Sequence, residues 1–205
     1  MTVVEVFADI TCPFAHAGLH RWCDARDRSG RSDIALKVRA WPLEIINGQA
    51  LEGASVAHKV ELLAEVFPAL FVGFAPDAFP ATTLPALALT NAAYRADIAT
   101  GERVALALRD AVFIEGRDVA DAQVLADVAL AHGLGGYESV DERAVLADLE
   151  EGRSRGVVGS PHYFVGAAAT FCPGLEIEHR HEDLDIHLAG ERFREFLDAC
   201  FAAPA

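Results

Sequence analysis

The stretch Phe7-Ala8-Asp9-Ile10-Thr11-Cys12-Pro13-Phe14-Ala15-His16-Ala17-Gly18 decides how this chain reads. Val3 to Ala8 is a compact apolar run with β-branched residues, which predicts a buried strand. Asp9 to Thr11 is a connection. Thr11 is placed to cap a helix with Pro13 in its first turn, where a missing N–H costs little. Leu19, Trp22 and Cys23 continue that helix. A cysteine at such a start sits among unpaired N–H groups at the positive end of the helix dipole. Both favour the thiolate, the reactive form. From an ordinary value near ~8.5, depression by roughly one unit or more makes Cys12 mostly charged at neutral pH. The plainer reading is an inert buried cysteine.

Outward from this stretch, Arg28-Ser29-Gly30-Arg31-Ser32 reads as a loop. Ile34 to Trp41 alternates through Ile34, Leu36 and Val38 and predicts a second strand, ended by Pro42. The first forty residues form a βαβ unit. From Ser55 to Glu151 the period is helical. Val56, Val60 and Leu63 mark one helix, Leu84 to Asp97 a second and Val104 to Phe113 a third. Asp121 to His132 is a fourth, capped by Asp121 and stopped by Gly133, and Asp141 to Arg155 is a fifth. Strand patterns then return: Tyr163 to Val165, a turn at Gly166-Ala167-Ala168, and Ala169 to Phe171. Gly190 to Phe201 reads as a terminal helix with Phe193, Phe196 and Cys200 on one face.

The 205 residues are 52% hydrophobic, enough for one compact core or a core carrying an insertion. Asp and Glu outnumber Lys and Arg by 31 to 17, for a net charge of −14, and no basic run occurs. Nucleic acid and anionic membrane are therefore poor partners. There is no basic and apolar leader pattern and no stretch apolar enough to span a bilayer, so the expected location is cytoplasmic. Four unevenly spaced cysteines do not make a structural disulfide framework in a reducing compartment.

Four segments in this order resemble the DsbA family of thioredoxin-like proteins, in its FrnE-like and 2-hydroxychromene-2-carboxylate isomerase-related branch. They are Phe7 to Phe14, Trp41-Pro42-Leu43-Glu44-Ile45, Phe113 to Asp121, and Gly156-Val157-Val158-Gly159-Ser160-Pro161. The resemblance implies a thioredoxin-like α/β fold (βαβ … ββα) with a large inserted all-helical subdomain. Residues 1–54 and 156–205 would be the two halves of the thioredoxin-like domain, and 55–155 the insertion. It also implies a cis bond before Pro161, placing that proline against Cys12. The chain departs from the pattern at one point. Family oxidoreductases usually carry Cys-Pro-X-Cys, and Ala15 stands where the second cysteine would be. The isomerase and transferase branch usually has serine where Cys12 stands.

The candidate site residues follow. Cys12 is the attacking thiol, and Pro161 is its cis-proline counterpart. His16, one helical turn on, would favour the thiolate as a cation or shuttle a proton as a neutral ring. Pro13, Phe14, Asn47 and Ser160 are candidate substrate contacts, Asn47 because an Asn near this place in the related branch helps hold the thiol of a bound cofactor. Asn47-Gly48 is equally a turn dipeptide. Trp41 belongs to the core. Cys23 lies about 16 Å from Cys12 along one helix, too far for a disulfide. Cys172 returns to the level of Pro161 if residues 163–171 form a hairpin, and is the candidate resolving thiol. His179, His181 and His187 lack a zinc spacing, so no metal is expected; His179 and His181 could share one strand face but are read as exposed loop.

These readings converge on an atypical thiol–disulfide oxidoreductase with one active-site cysteine. It has no tightly bound cofactor, and glutathione or mycothiol is the candidate thiol co-substrate. Its partners would be a small-molecule thiol or a protein disulfide, and it would act as a monomer or homodimer. The competing readings are a small-thiol-dependent transferase or isomerase like the kappa-class glutathione transferases, and a non-catalytic peptide-binding or chaperone-like module.

Overall fold

The computed structural model describes residues 2–135, 141–180 and 183–202. Strand β1 (Thr2–Ala8) leads into helix α1 (Pro13–Arg28) and then β2 (Ile34–Ala40). β1 and β2 pair in parallel from Thr2↔Ile34 to Ala8↔Ala40. After the helices come β3 (His162–Val165) and β4 (Ala168–Phe171), joined by a tight turn in which Gly166 takes a φ of +55°. β3 runs antiparallel to β1 and to β4, giving a sheet of order β2-β1-β3-β4. Helix α8 (Gly190–Ala202) follows. This is the expected βαβ … ββα order.

Between β2 and β3 lie α2 (Leu43–Ile46), α3 (Gly53–Val66), α4 (Leu84–Ala96), α5 (Ile98–Phe113), α6 (Ala122–Ala131) and α7 (Glu142–Ser154). α5 starts six residues earlier than the apolar period suggests. The Asp97 carboxylate accepts from the Thr100 N–H at 2.8 Å and caps the helix there. The apolar core runs across the boundary between sheet and helices. Ile10, Ala17 and Ala40 pack in one cluster with Val56 and Leu63 of α3 and Val104, Leu108 and Val112 of α5. A second cluster joins Val4, Val6, Leu19, Trp22, Leu36 and Tyr163 to Phe193 and Phe196 of α8.

The helices also close the open edge of β2. The Leu36 N–H donates to Glu102 at 3.0 Å, the Val38 N–H to the Tyr94 hydroxyl at 2.9 Å and the Ala40 N–H to Asp148 at 3.0 Å. Tyr94 in turn donates to the Leu36 carbonyl at 3.0 Å. An edge strand offers unpaired amides to any passing strand, and here α4, α5 and α7 supply side chains that take them up. Arg39 fixes α7 in the same place, reaching Glu5, Asp148 and Glu151 at 2.6–2.9 Å.

One expectation fails. His179, read as exposed loop rather than strand, lies in β5 (Leu175–Arg180), which pairs antiparallel with β6 (Asp183–Leu188) in a separate two-stranded sheet. Leu175, Ile177, Leu184 and Ile186 alternate with acidic residues and histidines. That period-two pattern outweighs the high charge. His179 lies in β5 and the exposed His187 in β6, while His181 is outside the described residues.

Helix α7 meets the sheet at a glycine. A Cβ on Gly152 would lie 2.6 Å from Cζ3 of Trp41 and 3.0 Å from Cδ1 of Phe7. Gly152→Ala should therefore destabilise the fold by about 1–3 kcal/mol through overpacking, although alanine is the better helix former by roughly 1 kcal/mol. A fall in the urea midpoint with unchanged slope checks this; a rise would mean that Trp41 yields freely.

Candidate active site

The pairing of β1 with β3 builds the site. Phe7 sits opposite His162, so the segment leaving β1 and the segment entering β3 meet at one end of the sheet. The Asp9 N–H donates to Oγ of Ser160 at 3.0 Å. The Cys12 thiol donates to the Ser160 carbonyl at 3.1 Å. The peptide between Ser160 and Pro161 is cis. Cys12 itself, not Thr11, is the N-cap of α1, with extended backbone at φ −82° and ψ 110° and Pro13 following. Thr11 is diverted: its hydroxyl and its N–H both go to the Asp9 carboxylate, at 2.6 and 2.7 Å.

Asp9 is fully buried. Beyond the two bonds from Thr11, its carboxylate accepts from the Leu43 N–H at 2.8 Å and the Thr83 hydroxyl at 3.2 Å. Arg109 of α5, also fully buried, donates to the carbonyls of Ala105, Ala8 and Asp9 at 2.6, 3.4 and 3.3 Å. Burial raises the Asp9 pKa, against the pull of Thr11, Leu43 and the Arg109 charge. Thr83 and Arg109 do not stand out by motif. Arg109 carries one readable signal, a charge on the Ala105–Leu108–Val112 face of an apolar helix, which is worth notice because a buried arginine needs partners.

The Cys12 thiol is buried, and this sets its acidity. Burial, the largest influence, pushes its pKa up; Ser160 and the N–H groups of Ala15 and Phe14 pull it down, and the Asp9 charge adds to the rise. The net direction is upward, so the helix start does not by itself make a resting thiolate. This corrects the expectation of a depressed pKa. The physical reason is desolvation: the thiolate loses more from leaving water than it gains from the helix amides.

His16 is fully buried, and its ring faces away from that chemistry. Nε2 lies 2.8 Å from the Leu70 carbonyl, and the imidazole stacks on Phe113 at 4.9 Å. Burial pushes its pKa down to about 3, so it supplies no cation to Cys12. Among the described residues no hydrogen bond links it to the sulfur. Pro13 is buried and Phe14 half-buried. Asn47 is exposed at the end of α2, its N–H bonded to the Leu43 carbonyl, and Gly48 takes a φ of +72° in the turn. Trp41 packs edge-on against Phe7 in the core. Cys200 is core as well, and Cys23 is buried with its thiol pushed up to about 12.

Cys172 does return to the level of Pro161. The β3–β4 hairpin pairs His162 with Phe171, and the Cys172 N–H donates to the Pro161 carbonyl at 3.0 Å. It lines a small crevice with Phe14, Gly18, Pro161 and Tyr163. Its backbone has a φ of +44°, which costs a non-glycine residue about 1 kcal/mol or more. Burial, with the nearby Cys12 charge, pushes its thiol up to about 12.

The geometry is a lone thiol at a helix start, facing a cis-proline loop across a thioredoxin-type sheet. Several solved structures share the fold. A probable DsbA oxidoreductase from Streptomyces coelicolor matches with a TM-score of 0.68 at 17% identity, covering 100% of this chain and 92% of that one. The cytosolic disulfide reductase DsbM from Pseudomonas aeruginosa matches with a TM-score of 0.60 at 15% identity, over 97% and 98%. A 2-hydroxychromene-2-carboxylate isomerase matches with a TM-score of 0.55 at 16% identity, over 82% and 88%. A search of curated proteins found no significant match. The profile of the DSBA-like thioredoxin domain matches residues 3–184. That match spans most of the sequence, and the chain belongs to the DSBA-like thioredoxin family.

Proposed function

We propose that this chain is a cytoplasmic thiol–disulfide oxidoreductase that works through the single thiol of Cys12. The observation that carries the reading is the Cys12 sulfur at the N-cap of α1, bonded to the carbonyl that precedes Pro161. The Cys12 thiolate attacks one sulfur of a substrate disulfide. The S–S bond breaks, the leaving thiolate takes up a proton, and Cys12 is held as a mixed disulfide. Ala15 offers no second thiol, so a small thiol such as glutathione or mycothiol attacks the substrate sulfur of the mixed disulfide, and Cys12 leaves as the thiolate. Cys12 is restored, and the substrate half leaves as a disulfide with the small thiol. DsbM has also been solved with GSH, and that structure matches this chain with a TM-score of 0.56 at 14% identity. Phe14 and Pro161 line the crevice at Cys172, the Ser160 carbonyl accepts from the sulfur, and Pro13 follows Cys12 at the helix start.

Replacing Cys12 by Ser should reduce disulfide exchange to the uncatalysed rate. In the parent protein the rate should rise with pH through neutrality and beyond the ordinary thiol range. A raised pKa leaves little thiolate at pH 7, and thiolate grows about tenfold per pH unit below the pKa. A pH–rate profile already flat at pH 7 would overturn the account of Cys12.

Asp9→Asn removes the negative charge beside the thiol and should move that profile to lower pH. It should also cost about 2–4 kcal/mol, because an amide turns a donor toward Thr11 or Leu43, which need an acceptor. Iodoacetamide alkylation rates against pH, with a denaturant curve, read both effects.

Cys172 is the proposed internal resolving thiol for oxidised Cys12. It would attack the Cys12 sulfur of the mixed disulfide, expel the substrate half as a thiolate that takes up a proton, and leave a Cys12–Cys172 bond that two equivalents of the small thiol reduce. Peptide mass spectrometry of protein treated with a disulfide oxidant should show the Cys12–Cys172 cross-link; a Cys12 adduct alone would leave resolution to the external thiol.

A transferase or isomerase that binds a small thiol beside Cys12 is the second reading, favoured by the missing second cysteine. Saturable glutathione binding without net disulfide exchange distinguishes it.

A further inference from the structure

Behind the thiol site, α1 and α5 bring together three ligand-bearing side chains. One donor atom each of His16, His20 and Asp110 lies within 4.8 Å of the other two. His16 and His20 are one turn apart on the same face of α1, and Asp110 meets them from α5. Nε2 of His20 is 2.7 Å from Oδ1 of Asp110, and Nδ1 of His16 is 3.8 Å from the same oxygen.

The tautomer of His16 is fixed by its far nitrogen. Nε2 faces the Leu70 carbonyl oxygen, which can only accept, so Nε2 carries the hydrogen. The ring is fully buried, which favours its uncharged form. Nδ1 is then a bare lone pair. It belongs to a side chain with no solvent exposure, it has no hydrogen-bond partner among the described residues, and it lies toward a carboxylate oxygen. The buried Nδ1 and the part-exposed Asp110 oxygen are two electron-rich atoms facing each other, and a cation between them is attracted to both. One ring N–H on a backbone carbonyl and the other nitrogen free is also how metal-bound histidines are oriented. Phe113 stacks on the ring and Phe71 meets its edge at 5.3 Å, holding the lone pair in place.

We propose that Nδ1 of His16, Nε2 of His20 and Oδ1 of Asp110 form a binding site for a divalent transition-metal ion of the zinc class, with an open coordination position toward solvent. Two imidazoles and one carboxylate are a donor set suited to zinc, and three protein ligands leave room for water or a substrate group. Bonds of about 2.0–2.2 Å separate tetrahedral donors by roughly 3.3–3.5 Å. His20 and Asp110 must part slightly and His16 must close slightly. The first two are 23% and 30% exposed and have the freedom to do so. A cleft of about 420 Å³, lined by His20, Arg21, Asp24, Arg28 and Leu70, opens beside His20. The buried Arg109 charge acts on His16 and opposes a second cation, which sets the affinity below that of a four-ligand structural site. On binding, the hydrogen on Nε2 of His20 passes to its other nitrogen or to solvent; no other bond changes. This site goes beyond the proposed thiol function and does not depend on it.

The test uses the full chain, stripped with a chelator and titrated with Co²⁺ followed by Zn²⁺, in parent and Cys12→Ser forms. One Co²⁺ per chain with visible absorption, displaced by Zn²⁺ and retained in Cys12→Ser, is the expected result. Affinity should fall at least ~10-fold in Asp110→Asn and in His20→Gln, with far-UV circular dichroism unchanged. Equal affinity in both variants, or loss of binding in Cys12→Ser, overturns the proposal. Histidine-ring NMR of the parent chain reads the site without a substitution. Zn²⁺ should shift His16 and His20, and unmoved resonances overturn the proposal whatever the variants do.

Discussion

The buried carboxylate of Asp9 is the constraint on which the rest of the site depends. An unpaired charge in a protein interior costs several kcal/mol, so Asp9 can stand where it does only while its donors stay in place. Those donors come from the start of α1, the exit of β2 and the entry to α4. Arg109 completes the arrangement from α5 by holding the carbonyls of Ala8 and Asp9. Four elements thus converge on one residue, three positions before the thiol. Removing either buried charge would leave the other without compensation, so the site resists piecemeal change.

The thiol is governed by two opposed effects. The helix start offers amides to a thiolate, and burial penalises it more. At rest Cys12 therefore keeps its proton and donates it to the Ser160 carbonyl. A thiolate has no hydrogen to donate. When Cys12 ionises, that carbonyl loses its donor.

Much of this is legible in the amino-acid order. The strand, turn and Cys-Pro helix at 3–23 are readable because local propensity and apolar period agree there. The hairpin at 162–171 that lifts Cys172 to Pro161 is readable from its glycine turn. The network around Asp9 is not, because its members are up to a hundred residues apart in sequence and each is ordinary alone. Thr11 shows how a local rule loses to such a network. It has the chemistry of a helix cap, yet Asp9 captures both of its donors and the cap passes to Cys12. The acidity of Cys12 is misjudged from sequence for a related reason: the dipole is visible in the pattern, while depth of burial depends on the whole fold. His16 is likewise one turn from Cys12 in sequence, but a helix face is a direction, and this one points to α5. The grouping with Asp110 spans ninety residues and has no spacing to recognise.

The contact between Cys12 and Ser160 joins residues 148 apart. β1 also finds β3 only after every helix of the middle segment has been made. On a growing chain the thiol therefore emerges early, long before its cover. Non-local pairings of this kind slow folding, since loop-closure entropy is lost before the contacts are gained. Throughout that interval Cys12 is a solvated, ordinary cysteine, open to any oxidant. The closed sheet that later restrains its reactivity also protects it, so for the nascent molecule the order of synthesis, rather than the final geometry, sets how long the cysteine is at risk.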